Sequence, residues 1–500
     1  MMGRYPVGID FGTTNSMIAV YKEGGQIEVI SSESGKRFLP SVIYFKNATE
    51  AVTGDNARSM QLLESENTIS NVKRYMGSDK TFTLYGKEYS PQELATLFFK
   101  KLKTLYTDYT GSKIADAVIT VPAYFDHLQR ESVRAAAESA GFDVLSLLNE
   151  PTAAAVYYNN IGKKENELCL VFDLGGGTLD ISLIELQKDY LKVIATGGST
   201  QIGGFDFDVA IADYFNEEFA KAHELDLRSD PIAYQQLLFQ SEKAKMELTS
   251  LNETNLVIPY ITVTPKGPLH FKKELDRSLF DMISKPIVDK IEKIVTELLE
   301  ANNIKAADIS RVLPVGGASR ICNVRSFVTG MFGDSLSKDM NPEEAVVCGA
   351  AVNAAMQTGL ITDKKFFDVT SHNMGIEDDN GNFEIIMKKN EPYPVEFSTR
   401  FITTSSELEQ VTVHILQDMA RSSLNVSESL TDDPDFFVSL AKFDFPIDKN
   451  IEENLIDIGF EIDVSGIVSV YAKDVTTGKE HDFTLKADID SDKIKDIKIY

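Results

Sequence analysis

The chain has 500 residues, 43% hydrophobic and 25% charged, which is ample core-forming material for roughly two to four domains. A formal net charge of −26 argues against a general nucleic-acid binder, which shows a basic face. No h-region of a signal peptide precedes Asp10 and no uninterrupted apolar run approaches ~18 residues, so neither a secretory signal nor a membrane span is expected, and a cytoplasmic location is. Cys169, Cys322 and Cys348 lack metal-ligand spacing and are expected as free thiols in a reducing compartment.

In chain order, the first element is an apolar strand with Val7 and Ile9 that runs into GIDFGTTNS, Gly8 to Ser16. Asp10 stands at the mouth of the turn. Glycines there allow φ > 0 and bring bare N–H groups against a phosphate, and Thr13 and Thr14 add hydroxyls. AVITVPAYF, Ala117 to Phe125, reads as a strand, and the Ala-rich QRESVRAAAESAG after it reads as a helix stopped by Gly141. Leu168, Leu170, Val171 and Phe172 then lead into FDLGGGTLDIS, with Asp173 at the turn and Thr178 within it. One Gly-rich turn between strands is more often a plain hairpin. Its repetition suggests two homologous lobes closing on one nucleotide. Asp10 and Asp173 suit Mg²⁺, which takes one or two carboxylates and keeps several waters.

Further along, Ile287, Ile291, Ile294, Val295 and Leu298 predict a core-facing helix from about Pro286 to Ala301. The α/β alternation continues to about residue 362. Asp363 to Asp368 reads as a charged linker around Phe366 and Phe367. Beyond it strands dominate. Ile456, Ile458, Phe460, Ile462 and Val464 alternate with polar or small residues, a turn at Ser465-Gly466 leads to Val468, Val470 and Ala472, and a second at Thr477-Gly478 leads to Asp482 to Leu485. A small antiparallel β domain over about residues 370–486 follows. The charged stretch from Asp488 to Tyr500 reads as the start of a helix.

The motifs accumulate in a fixed order. GIDFGTTNS is followed by VKRYMGS (Val72 to Ser78), VITVPAYF with Gln129-Arg130, LLNEPTAAA (Leu147 to Ala155), FDLGGGTLDIS and IGGFDFD (Ile202 to Asp208). SEKAKMELT (Ser241 to Thr249), VGGASR (Val315 to Arg320), NPEEAVVCGAA (Asn341 to Ala351), DVT, GIE, FST, VTVHILQ and AKDVTTGKE complete the series. This closely resembles the heat-shock-protein-70 family, the DnaK-type chaperones of the actin/hexokinase superfamily, over essentially the whole chain. The shortened segment between Arg74 and Lys87 is similar to the HscC-like branch. The resemblance implies an α/β actin-like two-lobed ATPase domain over residues 1–362 and an interdomain linker over 363–369. A mainly antiparallel β-sandwich substrate-binding domain over 370–486 and the start of a helical lid over 487–500 would follow.

It also implies roles. Gly12, Thr13, Thr14 and Asn15 form the first phosphate loop, and Gly175, Gly176 and Gly177 the second. Gly203, Gly204, Gly316 and Gly317 allow close backbone approach to the nucleotide. Asp10 and Asp173 hold hydrated Mg²⁺. Lys73 meets the γ-phosphate and the attacking water, Glu150 and Asp180 orient water and Mg²⁺, and Thr178 lies beside the γ-phosphate. Glu242, Lys245 and Arg320 contact the adenosine. Pro122 and Arg130 resemble the interdomain switch proline and relay arginine, and Phe366, Phe367 and Asp368 belong to the coupling linker. Phe383 and Val411 resemble peptide-groove positions, with an ordinary place in the sandwich core as the alternative.

The chain departs from the family at Met246, where an arginine usually forms one face of the adenine clamp, and at Ala318, where a serine is usual. The linker's aliphatic run is replaced by Lys364-Lys365-Phe366-Phe367, which would dock on the ATPase domain or else pack permanently as the first turn of the β domain. The implied activity is ATP hydrolysis, with ATP/ADP and Mg²⁺ as cofactors, coupled to binding and release of unfolded apolar peptides. A J-domain co-chaperone and a nucleotide exchange factor are the expected protein partners; no nucleic acid and no membrane are. The alternatives are a small-molecule kinase of the same superfamily and a nucleotide-dependent scaffold with little hydrolysis.

Overall fold

The computed structural model describes residues 5–162, 166–188, 190–265, 267–378, 380–403, 409–418, 437–447, 454–484 and 489–500. The expected strand end at Leu485 and residues 487–488 of the last segment lie outside them.

Two sheets repeat one topology. In the first, Val7–Asp10 pairs antiparallel with Asn15–Tyr21, which pairs with Ile27–Val29. On its other side Val7–Asp10 runs parallel to Asp116–Val121, itself parallel to Asp143–Asn149. In the second, Glu167–Leu174 pairs antiparallel with Leu179–Leu186, which pairs with Tyr190–Ser199, and Arg311–Val315 runs parallel on the far side. The inner strands are apolar on both faces because helices cover both. Between the sheets, helices Glu150–Ile161 and Ala345–Gln357 pack closely enough that a Cβ on Gly349 would stand 1.7 Å from Ala153 O. Their alanines, with Val171, Ile184 and Val347, form a buried cluster joining the two halves.

Local signals explain the helix starts. Ser90 and Glu93 cap Pro91–Thr110 reciprocally, and Asp126 and Gln129 do the same for His127–Ser139. The strand expected to run to Phe125 ends at Val121, because Pro122 has no N–H to donate to a ladder. The helix expected from Pro286 begins earlier, at Arg277. Asp276 Oδ1 accepts from Leu279 N at 2.7 Å, and this cap sets the start while Pro286 is carried inside the helix.

Within the expected linker, residues 363–369, Lys365–Val369 is a strand that adds in parallel to Tyr190–Ser199, with Phe366 opposite Leu191. Phe366 packs against the cluster between the sheets, whereas Phe367 is 45% exposed. Asp368 is buried and pairs in register with Tyr393. Beyond the linker, two four-stranded antiparallel sheets share one core of Met374, Ile376, Val413, Ile415, Ile456, Phe460 and Val470. One runs Phe383–Met387, Met374–Glu377, Gln410–Asp418, Phe437–Pro446; the other runs Val395–Thr403, Asn454–Ile462, Val468–Asp474, Glu480–Thr484.

The last segment holds a four-residue helix, Ser491–Ile494, and a short strand, Lys498–Ile499. That strand pairs in parallel with Glu50–Ala51, and Ile494 and Ile497 are buried in the core beneath the first sheet. Among the described residues, no helix is long and apolar enough to cross a membrane. Cys169, Cys322 and Cys348 carry free thiols.

Candidate functional site

The two Gly-rich loops face each other. A Cβ on Gly176 would lie 2.1 Å from Thr14 Oγ1, and one on Gly203 would lie 2.5 Å from Gly177 N. Only glycine allows these approaches. Gly204 N donates to Gly175 O at 2.9 Å and Phe205 N to Gly176 O at 2.8 Å, which ties the start of helix Gly204–His223 to the second loop.

Around this contact lie the carboxylates. Ladder register puts Asp173 directly opposite Asp180. Lys73, 3% exposed, donates to Glu150 Oε1 and sits 5.8 Å from the Phe125 ring. Burial, then the Glu150 charge, pushes Asp10 up to about 7, against the pull of Lys73 and Thr120. Burial and then Glu150 likewise push Asp180 up to about 7. Asp173 is raised by burial, with Glu150, Asp180 and Asp10 adding to it. Several buried carboxylates with one lysine leave an excess of negative charge that a hydrated divalent cation would balance. Among the described residues no three carboxylates, histidines or cysteines converge to ligate an ion directly. Asp10 and Asp173 are the residues that would hold the hydrated cation.

A cleft of about 450 Å³ is lined by Arg58, Phe239, Glu242, Lys243, Met246, Glu247 and Ser250, and so includes the expected adenosine contact Glu242. Arg58 Nη2 lies 2.6 Å from Glu242 Oε2 and closes one side. Met246 is 62% exposed at this cleft. Lys245 Nζ donates to Asp208 Oδ2 and to Gly204 O, both at 2.8 Å, so its ammonium is already engaged by protein groups. Arg320 is exposed and approaches Asn341 Oδ1 at 3.4 Å and Glu343 at 3.6 Å. Gly316, at φ 75°, and Gly317 stand at the short turn that carries Ala318 and Arg320.

The sequence reading missed Arg74, which donates to Gly177 O at 2.9 Å and Asp206 Oδ2 at 2.7 Å and so links the Lys73 turn to the second loop. It also missed Arg58, Asp208 and Asn149. The adjacency of Arg74 to Lys73 was the one available signal.

Arg130 and Asp368 lie near each other elsewhere, where the first sheet meets the β sheets, and Pro122 O accepts from Phe125 N at 3.1 Å close by in the chain. Arg130, 5% exposed, donates to Asn149 Oδ1 at 2.6 Å, to Ala123 O and Phe125 O at 3.1 Å, and to Ser465 O at 3.3 Å. His127 Nδ1 accepts from Val468 N at 3.1 Å, and Leu147 N donates to Ser465 Oγ at 3.1 Å. Burial raises Asp368. Phe383 and Val411 do not sit side by side: strand Met374–Glu377 separates theirs. Phe383 is buried with its ring 4.9 Å from that of Phe437, and Val411 is half-buried opposite Phe445.

The family model for the Hsp70 protein matches residues 6–84 and 80–498. The chaperone protein DnaK of Thermosipho melanesiensis is 40% identical over 484 residues, 95% of this chain and 79% of that protein. The chaperone protein DnaK of Thermotoga maritima is 39% identical over 485 residues, with the same shares. The chain belongs to the Hsp70 family. It is an ATP-dependent molecular chaperone, and its enzymatic activity is ATP hydrolysis.

Proposed function

We propose that residues 1–362 work as an actin-like two-lobed ATPase domain that binds Mg·ATP between the facing Gly-rich loops. Residues 370–486 would form the β-sandwich that takes unfolded apolar peptides, 363–369 would couple the two, and 487–500 would be the start of a missing or truncated helical lid. The observation that carries this reading is the buried Lys73–Glu150 pair beside Asp10, Asp173 and Asp180 at the meeting of the two loops.

Phosphoryl transfer to water needs little covalent help from the protein; it needs positioning and charge stabilisation. Bound Mg²⁺ would supply neutralising charge on the phosphates. In this reading Lys73 balances charge that grows on the transferred group, Glu150 and Asp180 orient the attacking water, and Thr178 holds the γ-phosphate side. The backbone N–H groups of Gly12 to Asn15 and Gly175 to Gly177 hold the ground-state phosphates. Hydrolysis then slows peptide release. A J-domain partner, an exchange factor and a cytoplasmic setting belong to the same proposal. Peptide-stimulated ATPase, measured with and without a J-domain protein, tests it. Stimulation by apolar peptide is expected, and transfer of phosphate to a small-molecule acceptor instead would favour the kinase alternative.

A further inference from the structure

We propose that His372 is a positioning residue for hydrolysis, acting from the β sheets on Asp180 through the backbone of Tyr124. The proposal rests on the reading of Asp180 as a water-orienting group.

Tyr124 faces both ways. Its N–H donates to Asp180 Oδ1 at 3.3 Å, and its carbonyl lies 3.2 Å from His372 Nε2. A carbonyl only accepts, so Nε2 carries the proton in this contact. One residue's backbone therefore separates the β sheets from a carboxylate of the hydrolytic site. The neighbouring peptide is gripped in the same way, with Ser371 Oγ donating to Ala123 O. The Tyr124 hydroxyl reaches Thr196 O at 3.4 Å on the second sheet, which limits how the residue can move.

The imidazole is itself held. His372 is 5% exposed and its ring meets that of Tyr124 edge-on at 5.6 Å. Its Nδ1 has no hydrogen-bond partner among the described residues and faces Asp418 Oδ1 at 3.6 Å. Asp418 is fixed by Asn373, whose backbone N donates at 3.0 Å and whose Nδ2 donates at 2.6 Å. The adjacent Gln417 Oε1 accepts from His127 N at 3.2 Å, which anchors the same strand to the helix that starts after Tyr124. A shift of strand Gln410–Asp418 would thus move His372, then the Tyr124 peptide, then Asp180. Leu or Val at position 372 would fill space without this donor.

The test uses the full chain and measures single-turnover hydrolysis, KM for ATP, and peptide off-rate with ADP for His372→Leu, His372→Gln and Asp180→Asn. Loss of one positioning hydrogen bond should lower kcat roughly threefold to tenfold in His372→Leu while KM stays within about twofold. His372→Gln keeps an N–H that reaches the Tyr124 carbonyl and should recover most of the rate. The ADP off-rate should stay close to that of the native chain in both, which shows that the β sheets are intact. A native rate in His372→Leu with a slow Asp180→Asn would overturn this proposal alone. A native rate in Asp180→Asn would overturn the reading of Asp180 and the proposal with it. Equal losses in kcat and peptide retention, or no recovery with Gln, would reduce His372 to a structural residue.

Discussion

Lys73 and Glu150, 77 positions apart in sequence, form a buried ion pair where the two Gly-rich loops meet. In the proposed function the lysine is held by a carboxylate until charge develops nearby, and backbone N–H groups would hold the ground-state phosphates. Lys73→Ala should therefore remove hydrolysis while leaving ATP affinity nearly intact. Single-turnover rate and ATP affinity, measured together, check this. A large affinity loss with an unchanged rate would remove Lys73 from the role.

Met246 is 62% exposed at the cleft closed by Arg58 and Glu242. Met246→Arg should tighten ADP binding by up to about tenfold, by adding a guanidinium face opposite Arg320 across the base. Calorimetry on both forms is the measurement, and no gain would mean that the base does not lie between positions 246 and 320.

Asp10 and Asp180, both pushed up to about 7, make the nucleotide-free protein sensitive to pH in a defined direction. Their folded pKa values lie above the unfolded ones, so the folded state holds more protons. Their contribution to stability is complete below about pH 4 and is lost as pH rises to about 7. Mg²⁺ competes with those protons. The rise in Tm on adding Mg·ADP should therefore be larger at about pH 8 than at about pH 5.5. An equal rise at both would show that these carboxylates are not protonated in the free protein.

Much of the nucleotide end was legible from local pattern. Val7 and Ile9 before one Gly-rich turn, and Leu168 to Phe172 before the other, mark the two strand–loop–strand hairpins, because apolar runs and glycines act locally. Pairings between distant positions carry no such pattern. Arg58 meets Glu242 across 184 positions, and His372 meets Tyr124 across 248. The engagement of Lys245 with Asp208 depends on how two helices are laid together, not on either helix alone. Backbone groups such as Tyr124 N–H have no sequence signature at all. Phe366 and Phe367 read alike in the sequence, and only the parallel pairing to Tyr190–Ser199 separates the half-buried one from the exposed one.

The terminal segment offers a separate check on packing. Ile494 is 1% exposed and Ile497 is 6% exposed, and Thr53 N donates to Tyr500 O at 3.1 Å. Ile494→Ala should cost about 2 to 5 kcal/mol of the local docking of this segment. Hydrogen exchange should show faster exchange at residues 51–53 and 498–500 with little change at Asp116–Val121. Unchanged protection at residues 51–53 would mean that the strand pairing does not persist in solution.

Nucleotide state should reach the β sheets through the strand Lys365–Val369. The most direct measurement is the off-rate of a labelled apolar peptide with ADP and with ATP, in the native chain and in Phe366→Asp. Phe366 packs against the cluster between the two sheets, and a buried carboxylate there is costly, so the variant should lose this docking. ATP should speed peptide release from the native chain and not from Phe366→Asp, while release with ADP stays similar in both and Phe367→Asp behaves nearly as the native chain does. ATP acceleration that persists in Phe366→Asp would contradict the account, because coupling would then run through some other contact.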